Sequence, residues 1–117
     1  MNDMTTEKEK FLREFNEAFV AGDVDFVAES ITDDIQSHMV GDQLLEGKDA
    51  VVQRLNSMDA EKHHDLTIDK IITHGKTASV NGVITVESKK IHFCDVYEFN
   101  SFKNPKIKKL TAYVIEE

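Results

Sequence analysis

A carboxylate interrupts an apolar row in the segment from Ile91 to Phe99. With the two-residue period of a β-strand, Asp95 shares a face with Ile91, Phe93, Tyr97 and Phe99. A carboxyl group on a buried face loses hydration, which favours its neutral form unless a partner stabilises the charge. The segment therefore predicts either a paired carboxylate or a group tuned for proton transfer. The alternatives are that the row faces solvent or that Asp95 caps a neighbouring backbone N–H.

The other residues that could do chemistry do not have the spacing of a metal or nucleotide site. His63 and His64 are adjacent, so their side chains point apart on an extended chain, and His92 lies on the strand face opposite Asp95. The sequence has no Gly-rich phosphate loop, no serine nucleophile motif and no helical pair of carboxylates at metal-ligand spacing. We therefore expect neither a metal nor a cofactor.

Cys94 is the only cysteine, which excludes an internal disulfide and a cysteine-rich zinc site. It lies on the strand face opposite Asp95, and we interpret it as a packing residue rather than a nucleophile.

Length and charge limit the classes of partner. The 117 residues are enough for one domain, which we expect to span residues 1–117. The net charge of −8 opposes association with nucleic acid or with an anionic membrane surface. The N-terminal residues are charged, and no apolar run is long enough to span a bilayer, so a cytoplasmic location is expected.

The N-terminal half has the periodicity of helices. Thr6 and Glu9 fit a capping box, and a stripe of apolar residues follows until Gly22: Phe11, Leu12, Phe15, Ala18 and Phe19. Asp23 can cap a second helix, which we expect to carry Val24, Phe26, Val27 and Ile31. After a short strand from Asp34 to Val40, a third helix beyond Gly47 buries Val51, Val52, Leu55 and Met58.

The residues beyond Asp65 are rich in β-branched side chains and predict four strands. Breaks are expected at His74-Gly75, at Ser88 to Lys90 and at Asn104-Pro105. Asn81-Gly82 could form a hairpin turn, but we favour a bulge within one long strand. The predicted order is α-α-β-α-β-β-β-β, which indicates an α+β domain with helices on one face of an antiparallel sheet.

This pattern resembles the nuclear transport factor 2-like superfamily, in particular its ketosteroid isomerase and polyketide-cyclase-like branch. The resemblance covers nearly the whole chain. It rests on residues 15–25, 34–41, 46–51 and 95–99, followed by Lys106-Ile107 and residues 110–114. It implies a strongly curved sheet that wraps around the N-terminal helix as a cone, with a mainly apolar pocket at the open end.

The resemblance also places residues in that pocket. His38 falls where ketosteroid isomerases have their proton-abstracting aspartate, and Asp95 falls on the protonated aspartate of their oxyanion hole. Phe15 falls on the oxyanion-hole tyrosine, and a phenylalanine cannot donate a hydrogen bond, so we do not predict steroid isomerisation. The ligand-binding wall of the pocket is expected to consist of Phe15, Phe19, Leu55, Phe93, Leu110, Ala112 and Val114.

Two functions remain open. In the first, a small apolar molecule binds in the cone and undergoes cofactor-independent acid–base chemistry of the isomerase, dehydratase or cyclase type. His38 would be the general base or acid, Asp95 its orienting or proton-donating partner, and Tyr97 a second donor. In the second, the cone is a non-catalytic ligand-binding or protein-association module, and His38 merely bonds a backbone group.

A homodimer is expected in either case. The convex face of the sheet would carry Thr111, Tyr113 and Ile115, which is more apolar than a solvated surface usually is.

Overall fold

The computed structural model describes residues 6–57 and 64–117. The helices in these ranges are α1 (Glu7–Ala21), α2 (Val24–Ser30) and α3 (Lys48–Asn56). The strands are β1 (Ile31–Met39), β2 (Gln43–Glu46), β3 (His64–His74), β4 (Thr77–Val86), β5 (Lys89–Phe99) and β6 (Ile107–Glu116).

The strands form one curled, unclosed sheet in the order β2-β1-β6-β5-β4-β3. The α+β class and the predicted order of helices and long strands are confirmed, and the structure adds the short strand β2, which pairs with β1 through a turn at Gly41. One pair departs from the antiparallel prediction, because β1 runs parallel to β6. Strands β1 and β6 can pair in parallel because a long connection separates them in sequence.

The ends of α1 and α2 follow from their caps. Thr6 and Glu9 form the predicted capping box, with the Glu9 backbone N–H donating to Thr6 Oγ1 at 3.1 Å, and Gly22 ends α1 with a φ of 77°. The Asp23 side chain caps α2. The assignment of Ile31 to α2 was wrong: the backbone is already extended there, and Ile31 is buried as the first residue of β1.

The apolar core lies between the helices and the concave face of the sheet. The predicted core residues Phe15, Val51, Leu55, Phe93, Phe99 and Leu110 are buried in it, and Phe11 and Phe19 pack against it. In α3, Val52 is partly buried, whereas Met58 lies outside the described residues.

Asn81 and Gly82 lie within the continuous strand β4, which confirms one long strand over a hairpin turn. The register irregularity falls in the partner strand, between Ile68 and Lys70, opposite Asn81-Gly82. At Gly82 the two backbones come so close that a Cβ atom would lie 2.1 Å from the carbonyl oxygen of Thr67. A glycine is required at this position because the conflicting atom belongs to the backbone and cannot rotate away.

We predict that Gly82→Ala destabilises the protein by about 3 kcal/mol, since β3 or β4 must shift to admit the methyl group. Urea denaturation measures the change. Asn81→Ala on the same strand is the control and should cost far less. Equal stabilities of the Gly82 variant and the unaltered chain would contradict the close approach.

Candidate functional site

Three polar side chains form a hydrogen-bonded chain on the concave side of the sheet. Asn16 Nδ2, on α1, lies 3.0 Å from the hydroxyl oxygen of Tyr97, and that hydroxyl lies 3.2 Å from Asp95 Oδ2 on the same strand, β5. Asn16 Nδ2 also donates to the backbone carbonyl of Leu12 at 2.8 Å. The site thus connects the first helix to the strand that carries the predicted carboxylate.

The direction of this chain is set by the Leu12 carbonyl. A carbonyl oxygen can only accept, so the Asn16 atom that contacts it must be the amide nitrogen. The second hydrogen of that nitrogen then points at the Tyr97 oxygen. The Tyr97 hydroxyl accepts from Asn16, and its own hydrogen is left to donate to Asp95.

Asn16 was missed by the sequence analysis, although a signal for it exists. It lies four residues after Leu12 and three before Phe19, so it belongs to the apolar stripe of α1. The structure buries Asn16 with that stripe. A buried amide in an apolar stripe needs hydrogen-bond partners, and the network supplies them.

Tyr97 supports Asp95 from within the core. Its side chain is 0% exposed, and its ring packs edge-on against Phe15 with 6.2 Å between the centroids. Burial and the neighbouring Asp95 raise the pKa of the Tyr97 phenol well above its ordinary value. Tyr97 therefore stays a neutral hydrogen-bond donor, and in this arrangement it acts on a ligand only through Asp95.

The carboxyl group of Asp95 is largely desolvated but is still partly accessible. Burial raises its pKa from 3.8 to about 7, and the hydrogen bond from Tyr97 opposes the rise by stabilising the carboxylate. The residue is nevertheless partly exposed, and Oδ1 accepts no hydrogen bond from the described part of the chain. Asp95 is thus ionised in about half of the molecules near neutral pH, with one oxygen free to meet a ligand.

The structure does not bring His38 to Asp95. The register aligns His38 with Thr111 of β6, which in turn aligns with Val96 of β5. Asp95 is the neighbour of Val96, and successive side chains of a strand point to opposite faces. The predicted dyad is therefore wrong in its geometry: His38 is exposed on the convex face.

The predicted ligand-binding residues share the concave side but differ in accessibility. Phe15, Leu55, Phe93 and Leu110 are buried, Phe19 and Ala112 are partly buried, and Val114 is 44% exposed. Ala112 pairs with Asp95 across β5 and β6, so the side chain next to the carboxyl group on that strand is a small one. A ligand contact by any of the seven stays a prediction.

Residues 6–57 and 64–117 contain neither a cluster of metal ligands nor a helix that could span a membrane. No group of three or more His, Cys, Asp or Glu side chains in these ranges is placed to hold a metal ion. The described helices are too short or too polar to cross a membrane.

The raised pKa of Asp95 predicts how stability changes with pH. The folded protein holds the Asp95 proton more tightly than the unfolded chain does. The resulting stabilisation of the folded state is complete below about pH 4 and is lost as the pH rises through about 7. At about 1.4 kcal/mol for each unit of pKa, the loss is at most about 4 kcal/mol.

We therefore expect Asp95→Asn, which cannot ionise, to be more stable than the unaltered chain at pH 8, by up to about 4 kcal/mol. The gain should shrink towards pH 4. Urea denaturation across this range measures it, and Asp34→Asn, at an exposed carboxylate of β1, is the control. A difference between the Asp95 variant and the unaltered chain that is independent of pH would refute the raised pKa.

Comparison with known proteins identifies the family. Residues 12–109 match the model of the SnoaL-like domain. No curated protein sequence matches the chain. Among solved structures, a nuclear transport factor 2-like protein of unknown function from Cytophaga hutchinsonii is 27% identical, with a TM-score of 0.70 over 92% of this chain and 98% of that one.

Two further structures share the fold at lower identity. A ketosteroid isomerase-like protein from Kribbella flavida is 12% identical, with a TM-score of 0.79 over 92% of this chain and 77% of that one. An LEH-like epoxide hydrolase from M. tuberculosis is 20% identical, with a TM-score of 0.75 over 97% and 86%. The match over most of the chain, together with the cone-like sheet around α1, shows that the protein belongs to the SnoaL-like family of the nuclear transport factor 2-like superfamily.

Proposed function

We propose that the protein binds a small, largely apolar molecule against the concave face and that Asp95 exchanges a proton with it. The observation that carries this proposal is a partly accessible carboxyl group with a pKa of about 7, one oxygen of which accepts no hydrogen bond from residues 6–57 or 64–117. A base is most effective when its pKa lies near the working pH. The family match and the isomerase-like and hydrolase neighbours are consistent with such a role.

The arrangement favours reactions in which a single group takes a proton and returns it. As a carboxylate, Asp95 can remove a proton from a carbon beside a ligand carbonyl, and as the neutral acid it can return that proton to the same molecule. Isomerisation and cyclisation of carbonyl compounds fit this scheme. No oxidant, metal or cofactor is needed for the proton balance.

A non-catalytic binding role is the second candidate, and a specific observation favours it. His38 lies on the convex face and Tyr97 is buried. Neither side chain can therefore contact a ligand that is held at Asp95. In that case the neutral Asp95 would donate a hydrogen bond to a ligand oxygen, and no proton would be transferred to carbon.

Exchange of the α-hydrogens of cyclohexanone in D2O, followed by NMR, distinguishes the two candidates. We expect the protein to accelerate exchange, with a rate that rises through about pH 7 as Asp95 ionises. Asp95→Asn should remove about a hundredfold or more of that acceleration. Tyr97→Phe removes the donor that stabilises the carboxylate, so the midpoint of the profile should move to higher pH.

His38→Gln tests the dyad that the sequence predicted. Because His38 points away from Asp95, this variant should accelerate the exchange of cyclohexanone α-hydrogens as much as the unaltered chain does. A loss of that acceleration would show that His38 takes part in the reaction. Binding of cyclohexanone without accelerated exchange would support the non-catalytic role and reject proton transfer.

We also infer that the protein forms a homodimer through the convex face. A row of cross-strand neighbours runs over all six strands there, from Leu44 through His38, Thr111, Val96 and Ser79 to Ile72. Tyr113 is 49% exposed and Ile115 is 73% exposed on the same face. A second copy of this face is the partner that we propose, since self-association hides the same apolar patch on both chains.

Tyr113→Asp should convert this dimer into monomers, because the new charge would be desolvated without a partner. Size-exclusion chromatography with light scattering measures the mass. Val114→Asp is a matched control: the residue is adjacent, similarly exposed and on the concave face, so the dimer should persist. A monomeric unaltered chain at micromolar concentration would disprove the interface.

A further inference from the structure

A cavity opens on the concave side, at the end of the sheet where β1 and β2 lie. It has a volume of about 140 Å³ and is walled by apolar side chains from three elements: Phe19 of α1, Leu45 of β2 and Val51 of α3. The rest of the lining consists of Met39 of β1 and three polar residues: Ser37, Gln43 and Arg54. The cavity thus combines apolar walls with hydrogen-bond donors.

The size of the cavity limits what it can hold. An apolar cavity of about 150 Å³ in a protein core accepts a benzene-sized molecule. A single six-membered ring or a short aliphatic chain is therefore an apolar group that this space can hold. Phe19, Leu45 and Val51 offer such a group three apolar contacts.

Arg54 gives the cavity its charge preference. Its guanidinium forms no ion pair or hydrogen bond with any side chain of residues 6–57 or 64–117, and no acidic residue lines the cavity with it. The Arg54 side chain is exposed, so its guanidinium is accessible to a ligand that enters from solvent. A guanidinium binds a carboxylate with two parallel hydrogen bonds, and Ser37 and Gln43 can donate to the same oxygens.

We propose that this cavity binds a small monocarboxylate with an apolar body, such as a ring acid, with its carboxylate on Arg54 and its body against Phe19, Leu45 and Val51. The proposal names the class of molecule that the concave face recognises. It rests on the proposed function in one respect: the cavity and Asp95 are taken to be two ends of one ligand site.

The strand register connects these two ends. Met39, which also lines the cavity, aligns with Ala112 of β6, and Ala112 aligns with Asp95 of β5. All three side chains point to the concave face, and two strand spacings separate β1 from β5, about 10 Å in all. A molecule anchored at Arg54 could therefore extend over Ala112 and place a carbonyl or hydroxyl group beside Asp95.

Benzoate is the probe that we would use, with benzyl alcohol as its uncharged counterpart, in NMR titrations of the isotope-labelled full chain. We expect benzoate to shift the amide signals of Ser37, Leu45 and Val51 and to bind more tightly than benzyl alcohol. Arg54→Gln should weaken benzoate binding by about tenfold or more and abolish the preference over the alcohol. Arg13→Gln, at the other arginine of the sequence, is the matched control and should leave binding unchanged.

Leu45→Trp provides a second test, because it fills the cavity without altering Arg54; it should also block benzoate. Benzoate binding is measured on the unaltered chain without any exchange reaction, so failure of the proton-transfer proposal leaves this result intact. The inference is overturned if benzoate causes no shifts in this cavity, if Arg54→Gln binds it as tightly as the unaltered chain, or if benzyl alcohol binds equally well.

Discussion

The packing of α1 into the concave face of the sheet is the constraint on which the candidate site depends. Phe11 meets Phe99, Phe15 meets Tyr97, and Asn16 bonds to the Tyr97 hydroxyl, so one helix determines the positions of the residues on β5. The sheet must curl for a single helix to be covered in this way. Gly82 permits the close approach of β3 and β4 within that curl.

The same packing makes Asp95 costly to ionise. The core removes water from the carboxyl group, and one hydrogen bond from Tyr97 does not fully compensate for the loss. A chain selected for stability alone would favour a neutral residue here. A destabilising carboxyl group that keeps one oxygen accessible is typical of a functional position, whether the group transfers a proton or only binds.

Most of the fold was predictable because its signals are local. The capping box at Thr6 and the end of α1 at Gly22 appear where the sequence placed them. The breaks between the β-rich segments lie within one or two residues of their predicted positions: the turn expected at Ser88 to Lys90 falls at Glu87-Ser88, because β5 already begins at Lys89. The short strand β2 was missed because four residues carry little periodicity. The parallel pairing of β1 with β6 is set by long-range packing, which no local pattern encodes.

The site was only partly predictable, for a different reason. Strand alternation predicted that Asp95 and Tyr97 share one face, and the hydrogen bond between their side chains agrees with that placement. His38 was placed in the pocket by resemblance, although the alternation of β1 predicts the opposite face. Ile35 and Met39 face inward, and His38 is an odd number of residues from each, so its side chain faces outward. Asn16 was missed, although the helical period places its amide in the apolar stripe of α1.

The parallel pairing of β1 with β6 has a consequence for the shape of the site. It sets Ser37 and Met39 beside Leu110 and Ala112, and through them beside Tyr97 and Asp95. The concave face therefore has one end with a carboxyl group that titrates near neutral pH and another with an exposed guanidinium. Opposite charges at the two ends of an apolar surface favour a molecule with distinct polar ends and a fixed orientation, because reversing it would place like charges together.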